Sequence, residues 1–173
     1  MVWSNGGFVG PAVGGVQMSV VSTSTDDASG GTGIRTIQVH YLDTEFTEKV
    51  ETITLNGTTP VVMSATDVHF INTLHVVTFG SGKKAAGSIT VYNGDNVYAE
   101  IQTGNNIQFS SAKMVPKGKV FYLAGAVSGS SSASSDARVT VKLVANIYDE
   151  IIFADPFIFL PYGLIELQDS TVT

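Results

Sequence analysis

The histidines are the first residues that could do chemistry, as metal ligands or as general acids and bases. His69 and His75 lie six residues apart on one predicted strand, which separates them by about 20 Å along an extended chain. His40 is predicted to lie on the outer face of a different strand. Two side chains so far apart cannot share a metal ion, and the chain has no cysteine to complete a thiolate site. The sequence therefore predicts no metal site, and surface or partly buried histidines instead.

Acidic residues in loops are the next candidates, because carboxylate oxygens can hold Ca²⁺. Asp26 and Asp27 sit in a Gly/Ser-rich loop, and Asp95 sits in the stretch NGDN. Calcium sites need several acids converging at fixed positions, and neither stretch matches an EF-hand loop. We expect these aspartates to be turn residues that bond nearby backbone.

Two other catalytic patterns are incomplete. The stretch FGSGKK at 79–84 resembles a phosphate-binding loop, but its first glycine is misplaced and Lys84 stands where Ser or Thr is required. No G-x-S-x-G nucleophile elbow occurs, and Glu45, Glu48 and Glu51 flank a predicted turn without forming an assignable acid–base pair. We expect a protein that is not an enzyme and that binds no cofactor.

An apolar segment near the end of the chain, IIFADPFIFLPYGLI at 151–165, is left without a chemical role. Pro156 and Pro161 interrupt it, so it cannot cross a membrane as a helix. It is either core or a subunit interface, since exposed aromatic patches of this size usually mark contacts. The residues that we expect to mediate self-association are Ile151, Phe153, Phe157, Phe159 and Tyr162.

The first 14 residues are rich in glycine, which leaves little room for a regular element. They carry Trp3 and Phe8, which a free tail has little reason to contain. Residues 1–14 are either a loose tail or an arm that orders when it docks on a neighbour. We expect Trp3 and Phe8 to dock such an arm.

The rest of the chain reads as about ten to twelve short strands separated by turns. Residues 34–42 alternate between apolar and polar side chains, as a half-buried strand does. Asn56-Gly57 predicts a type I′ hairpin that would join strands of one meander, and 67–79 is apolar on both faces. Without any helical periodicity, residues 15–173 are predicted to form one all-β domain, an antiparallel, jelly-roll-like β-sandwich.

Composition narrows the classes of partner. The net charge is −6, and the nine Lys and Arg residues form no basic stripe, so nucleic acid is not an expected partner. No apolar run approaches the length of a membrane span, and no signal peptide is evident at the N-terminus. Together with the absence of cysteine, this composition fits assembly in a reducing cytoplasm.

Several motifs resemble a group of virion structural proteins of tailed bacteriophages. Their order is GTG-x-RT, then YLD, ETITLNGT, a TD-x-x-x-IN segment and a GSG turn, and residues 32–128 carry the pattern best. The matching positions are Gly33, Arg35, Thr36, Tyr41, Leu42, Asp43, Glu51, Thr52, Leu55, Asn56, Gly57, Thr66, Asp67, Ile71 and Asn72. The resemblance implies a capsid decoration, fibre-like or tail-associated protein, with structural rather than catalytic motifs.

The residues and the resemblance lead to one expectation with three alternatives. We expect a cement protein that assembles in the host bacterial cytoplasm, forms a homotrimer, and binds the major capsid protein on the outside of the head. Alternatively, the loops TSTDDASGGTG and SGSSSASSDA recognise a host receptor from a fibre. A neck or tail-joining component is a third reading, and a polysaccharide depolymerase the last.

Overall fold

The computed structural model describes residues 9–110, 112–119, 141–144 and 164–167. The chain divides into two compact units, Met1–Phe121 and Tyr122–Thr173. The predicted extent of a single domain, 15–173, stays a prediction. The strands are β1 (Ser19–Ser22), β2 (Ile34–Asp43), β3 (Glu48–Thr54), β4 (Val61–Val62), β5 (Val68–Phe79), β6 (Ile89–Asn93), β7 (Asn96–Ile101), β8 (Val141–Val144) and β9 (Leu164–Leu167).

The first unit contains two antiparallel sheets, with strand orders β4-β1-β6-β7 and β3-β2-β5. Apolar side chains from both sheets pack into one hydrophobic core, so the predicted all-β, sandwich-like fold is confirmed. Core residues from the two sheets include Val20, Ile89, Val91, Ile101, Ile37, Val39, Ile53 and Leu74. In the second unit, β8 and β9 form an antiparallel pair.

Two tight turns close hairpins within these sheets. Between β2 and β3, the Asp43 carboxylate accepts hydrogen bonds from the backbone N–H groups of Glu45 and Thr47, each at 2.9 Å. Between β6 and β7, Asn93 pairs with Asn96 across a two-residue loop in which Gly94 has a φ of 56°. Glycine at the first loop position is typical of a type II′ hairpin, so Asp95 is a turn residue, as predicted.

The predicted Asn56-Gly57 hairpin is wrong. β3 pairs with β2, whereas β4 pairs with β1 in the other sheet, so the turn joins the two sheets and no three-strand meander forms. Only Gly57 of the pair has a positive φ, 61°, whereas a type I′ turn needs both. The N–H of Gly57 donates to the Asp27 carbonyl at 2.8 Å, and its carbonyl accepts from the Ser22 N–H at 3.0 Å.

β5 explains why residues 67–79 look apolar on both faces. Its register against β2 shifts near Asn72, between the pairs His40–Thr73 and Tyr41–Ile71. Such a β-bulge changes which alternate residues face inward. As a result, Val68, Ile71 and Leu74 all reach the same core, although their spacing does not follow a period of two.

The loops at one end of the sandwich converge on the buried carboxylate of Asp27, which is 0% exposed. Its Oδ1 accepts hydrogen bonds from the N–H groups of Ile34 at 2.7 Å and Ala86 at 3.0 Å. Its Oδ2 accepts from the Ser22 hydroxyl at 2.6 Å and the Gly87 N–H at 2.9 Å. One side chain therefore joins the end of β1, the start of β2 and the loop before β6.

Glycines make room for this convergence. A Cβ atom at Gly33 would lie 2.2 Å from Asp27 Oδ1, and one at Gly87 would lie 2.5 Å from the Ser24 backbone nitrogen. The N–H of Gly80 donates to the Gly33 carbonyl at 2.7 Å. The GTG and GSG stretches noted in the sequence are therefore neighbours in this loop cluster.

Replacing Asp27 with Asn is expected to lower the free energy of unfolding by about 2 kcal/mol. The amide nitrogen would stand where one carboxylate oxygen accepts two hydrogen bonds, leaving at least one backbone N–H facing a donor. Urea unfolding followed by circular dichroism measures the change. The matched control is Asp26→Asn, because the neighbouring Asp26 is exposed; equal losses in the two variants would contradict the role given to Asp27.

Candidate functional site

The outer face of the sheet β3-β2-β5 is the candidate site. On β2, Ile37, Val39 and Tyr41 belong to the core, so Gln38 and His40 point to the opposite face. The paired residues on neighbouring strands share that face. His40 lies between Val50 of β3 and Thr73 of β5, while Gln38 lies between Thr52 and His75.

A further segment extends this face beyond β5. The N–H of Val76 donates to the Asn106 carbonyl, and the N–H of Gln108 donates to the Leu74 carbonyl, each at 3.0 Å. Ile107 forms an isolated bridge with His75 and is therefore beside it on the outer face. The sequence also predicts a strand at 106–110, and this bridge is the part of it that is observed.

We name this surface the open face, and none of its members is an Asp, Glu, Lys or Arg. Three of its positions carry threonine, and its borders are apolar: Val50 is 50% exposed and Ile107 is 47% exposed. A strand face that meets only water usually carries Lys or Glu side chains. The open face consists of Thr36, Gln38, His40, Val50, Thr52, Thr73, His75 and Ile107.

Two histidines are in contact at the centre of the open face. The rings of His40 and His75 are 4.9 Å apart between centroids, with 35° between their planes. His40 Nε2 is buried and has no hydrogen-bond partner among the described residues. Burial, followed by the positive charge that His75 can carry, lowers the pKa of His40 below its usual 6.5, with Lys113 adding to the effect and Glu48 opposing it.

A shallow pocket of about 390 Å³ lies at one end of the open face. His40, Glu48 and Lys113 are among its lining residues. The Lys113 ammonium donates to the Asn72 carbonyl, and burial lowers the Lys113 pKa. Asn72 also exchanges two hydrogen bonds with the Met114 backbone, each at 2.9 Å, which fixes residues 112–116 over this end.

The described residues contain no group of three His, Cys, Asp or Glu side chains able to hold a metal ion. The pocket combines one histidine, two lysines and one glutamate, and it does not present the paired carboxylates that glycoside hydrolysis uses. What the arrangement provides is a sheet surface with hydrogen-bonding side chains and exposed apolar borders.

The residues predicted to mediate contacts lie outside the described residues. This applies to the docking-arm residues Trp3 and Phe8 and to the predicted self-association residues, which are Ile151, Phe153, Phe157, Phe159 and Tyr162. Those assignments stay predictions.

Other sequence-based expectations fall within the described residues. His40 lies on the outer face, as predicted, and the FGSGKK stretch is a turn whose Lys83 and Lys84 are exposed. His69 is held by a contact between its Nδ1 and the Ala12 carbonyl at 3.0 Å. The contact between His40 and His75 was not predicted from the sequence, because the two residues lie on different strands. The one sequence signal for it is that both residues occupy outward-facing positions of their strands.

No protein family, curated protein or solved structure matched the chain in the comparisons. Within the described residues, no helix is long and apolar enough to cross a membrane. The geometry of the site is therefore the basis for its functional interpretation.

Acidification is expected to destabilise the fold through His40. As the pH falls below 6.5, the unfolded chain takes up a proton at His40 that the folded chain resists because its pKa is lowered. The free energy of unfolding therefore decreases as the pH falls from 6.5 to the lowered pKa of His40 in the folded chain. Thermal unfolding at about pH 7.5 and about pH 5 should show a smaller acid-induced drop for His40→Gln than for wild type.

The control variant for this measurement is His69→Gln, which removes a histidine that lies outside the His40–His75 contact. Comparing its acid-induced drop with that of His40→Gln separates an effect specific to His40 from the effect of replacing any histidine. If His40→Gln keeps the full wild-type difference between the two pH values, the electrostatic description of the open face is wrong.

Proposed function

We propose that this protein is a non-enzymatic structural component of a phage particle, a decoration protein that associates with itself and with the capsid shell. Its activity is adhesion. The contacts between copies, and between each copy and the shell, must be broken before the shell can expand or rupture. Each decoration protein in place therefore raises the force that the shell withstands.

The observation that carries this proposal is the open face. It is a sheet surface with threonine, glutamine and two contacting histidines at its centre and exposed Val50 and Ile107 at its borders. Burying such a surface removes apolar area from water without leaving a charged side chain buried and unpaired, because Glu48 and Lys113 lie only at its end.

The motif residues that resemble phage structural proteins hold the fold together, which supports a structural role for them. The Glu51 carboxylate accepts hydrogen bonds from the N–H groups of Ser64 at 2.7 Å and Ala65 at 3.2 Å. Asn72 fixes Met114, and Gly33 leaves space for the Asp27 carboxylate. None of these groups is left free to react with a substrate.

Of the two loops that could recognise a receptor in the fibre alternative, TSTDDASGGTG at 23–33 is held in its middle by Asp27. This loop therefore cannot adapt its backbone to a ligand without breaking that network, although side chains at its surface are accessible, Asp26 among them. The other loop, SGSSSASSDA, lies outside the described residues, so the support for the decoration role over the fibre role concerns the first loop only.

The test is to locate the protein in intact particles and to measure what its removal does. Gold-labelled antibodies should decorate the heads at many regular sites in electron micrographs. Particles lacking the protein should release DNA at a lower temperature, and added purified protein should restore the wild-type temperature. The matched control is the same protein carrying Asp27→Asn, which is expected to restore resistance less well because its fold is weakened.

Three results would contradict the proposal. Label confined to tail tips would favour the fibre alternative, and a single ring at the neck would favour a joining role. Absence of the protein from purified particles would remove the virion role altogether.

A further inference from the structure

We propose that two copies of this chain pair through the free edges of their β3 strands, antiparallel and centred on Val50. The proposal deepens the self-association part of the proposed function by naming the surface that mediates it. It rests on that part of the proposed function alone. Among the described strands, β3 is the edge of its sheet, with β2 on one side. Among the described residues, no backbone group bonds to the outer main-chain groups of its seven residues, Glu48–Thr54, which leaves those groups available to another strand.

The direction of these groups follows from the hydrogen bonds at both ends of the β2–β3 pair. The N–H of Asp43 donates to the Thr47 carbonyl at 3.1 Å, and the N–H of Leu55 donates to the Arg35 carbonyl at 2.8 Å. Hydrogen-bonded and non-hydrogen-bonded pairs alternate along an antiparallel ladder, and this register has no shift between the two ends.

It follows that the pair of His40 with Val50 is a non-hydrogen-bonded one. The N–H and C=O groups of Val50 therefore point away from β2, toward the free edge. The same alternation directs the main-chain groups of Glu48, Thr52 and Thr54 outward. Every second residue of the strand thus presents one donor and one acceptor to a partner.

The side chains select one alignment of two such strands. With the two-fold axis at Val50, Lys49 of each copy stands opposite Glu51 of the other, and the two Val50 side chains pack together. The outward groups of Glu48 and Thr52 also face each other, which allows about six main-chain hydrogen bonds across the junction.

Other alignments fit less well. An axis at Lys49 or at Glu51 places like charges opposite each other, which is destabilising. An axis at Thr52 brings Lys49 opposite Leu55 and Glu51 opposite Ile53, so that no opposite charges meet. Charge complementarity therefore points to a second copy of this chain, in one register, as the occupant of the edge.

The charged residues remain available for this contact. Lys49 is 51% exposed at its side chain and lies 3.8 Å from the Asp43 carboxylate, so it can swing to a second acceptor. The two Glu51 oxygens each accept one backbone hydrogen bond, and a carboxylate oxygen can accept another. These two backbone hydrogen bonds also hold the Glu51 side chain in position.

Such a contact is closed by its own symmetry, since an isologous interface joins two copies and no more. It also makes the two open faces continuous across the junction. A trimer, as expected from the sequence, needs a separate surface. The β3 contact would then link neighbouring trimers, and the contact of a single strand is reinforced when several copies are already held together.

Cysteine cross-linking tests the pairing directly, because the chain contains no cysteine of its own. In the proposed alignment the Cα atoms of the two Val50 residues are about 5.5 Å apart, within the range that a disulfide bridges. Val50→Cys should therefore form covalent dimers on mild oxidation. Two control variants, Val62→Cys and Thr52→Cys, should remain monomeric in denaturing gels.

The controls separate the possible explanations. Val62 is 58% exposed on β4, the edge strand of the other sheet, so its cysteine reports random collisions. In the proposed register the two Thr52 residues are about 14 Å apart, so a dimer formed by Thr52→Cys would overturn the register. Equal dimer formation by Val50→Cys and Val62→Cys, or none by Val50→Cys despite a reactive thiol, would overturn the contact.

A second variant needs no oxidation. Val50→Lys places two ammonium groups opposite each other and should weaken self-association measured by sedimentation about tenfold, whereas Val62→Lys should leave it unchanged. An unchanged association constant for Val50→Lys contradicts the inference.

If the wild-type chain associates but the Val50 variants behave like their controls, the β3 contact fails while the virion proposal stands. If they behave as expected but the protein is absent from particles, the virion proposal fails while the contact stands.

Discussion

The carboxylate of Asp27 is the constraint on which the first unit depends. A buried charge is costly unless hydrogen bonds replace its water, and here four donors from three separate stretches of chain do so. Because these donors include the end of β1 and the start of β2, the carboxylate sets where the chain leaves one sheet and enters the other. Gly33 and Gly87 are needed at this point, since added side-chain atoms would collide with the network.

With its loops fixed in this way, the sandwich presents the open face and the β3 edge as two surfaces. The open face is uncharged at its centre, and the β3 edge carries Lys49 and Glu51 at positions that are complementary under two-fold symmetry. In the proposed function, both features are surfaces for contact. A rigid surface loses little conformational entropy when it binds, which favours repeated assembly of identical copies.

Local patterns predicted the strands but not how they are connected in space. The alternation of residues 34–42 predicted β2 within one residue, because one buried face imposes a period of two. Asn56-Gly57 has strong local hairpin chemistry, yet its turn joins two sheets, because Gly57 is bonded to Asp27 and Ser22 far away in the sequence. Local chemistry could not reveal those partners.

The candidate site was harder to predict than the fold, for the same physical reason. His40 and His75 meet only because β2 pairs with β5 in one particular register. The bulge near Asn72 that sets this register also moves Ile71 and Leu74 into the same core. Similarly, the network of Asp27 could not be predicted, since three of its four donors are backbone N–H groups that carry no residue-specific signal, and the fourth is the hydroxyl of Ser22.

The central claim is that this molecule works by adhering to copies of itself. Sedimentation equilibrium of the full chain, from micromolar to several hundred micromolar, tests it most directly. The account predicts a mass that rises with concentration to a multiple of the single chain. A chain that keeps the mass of one copy throughout this range would contradict it.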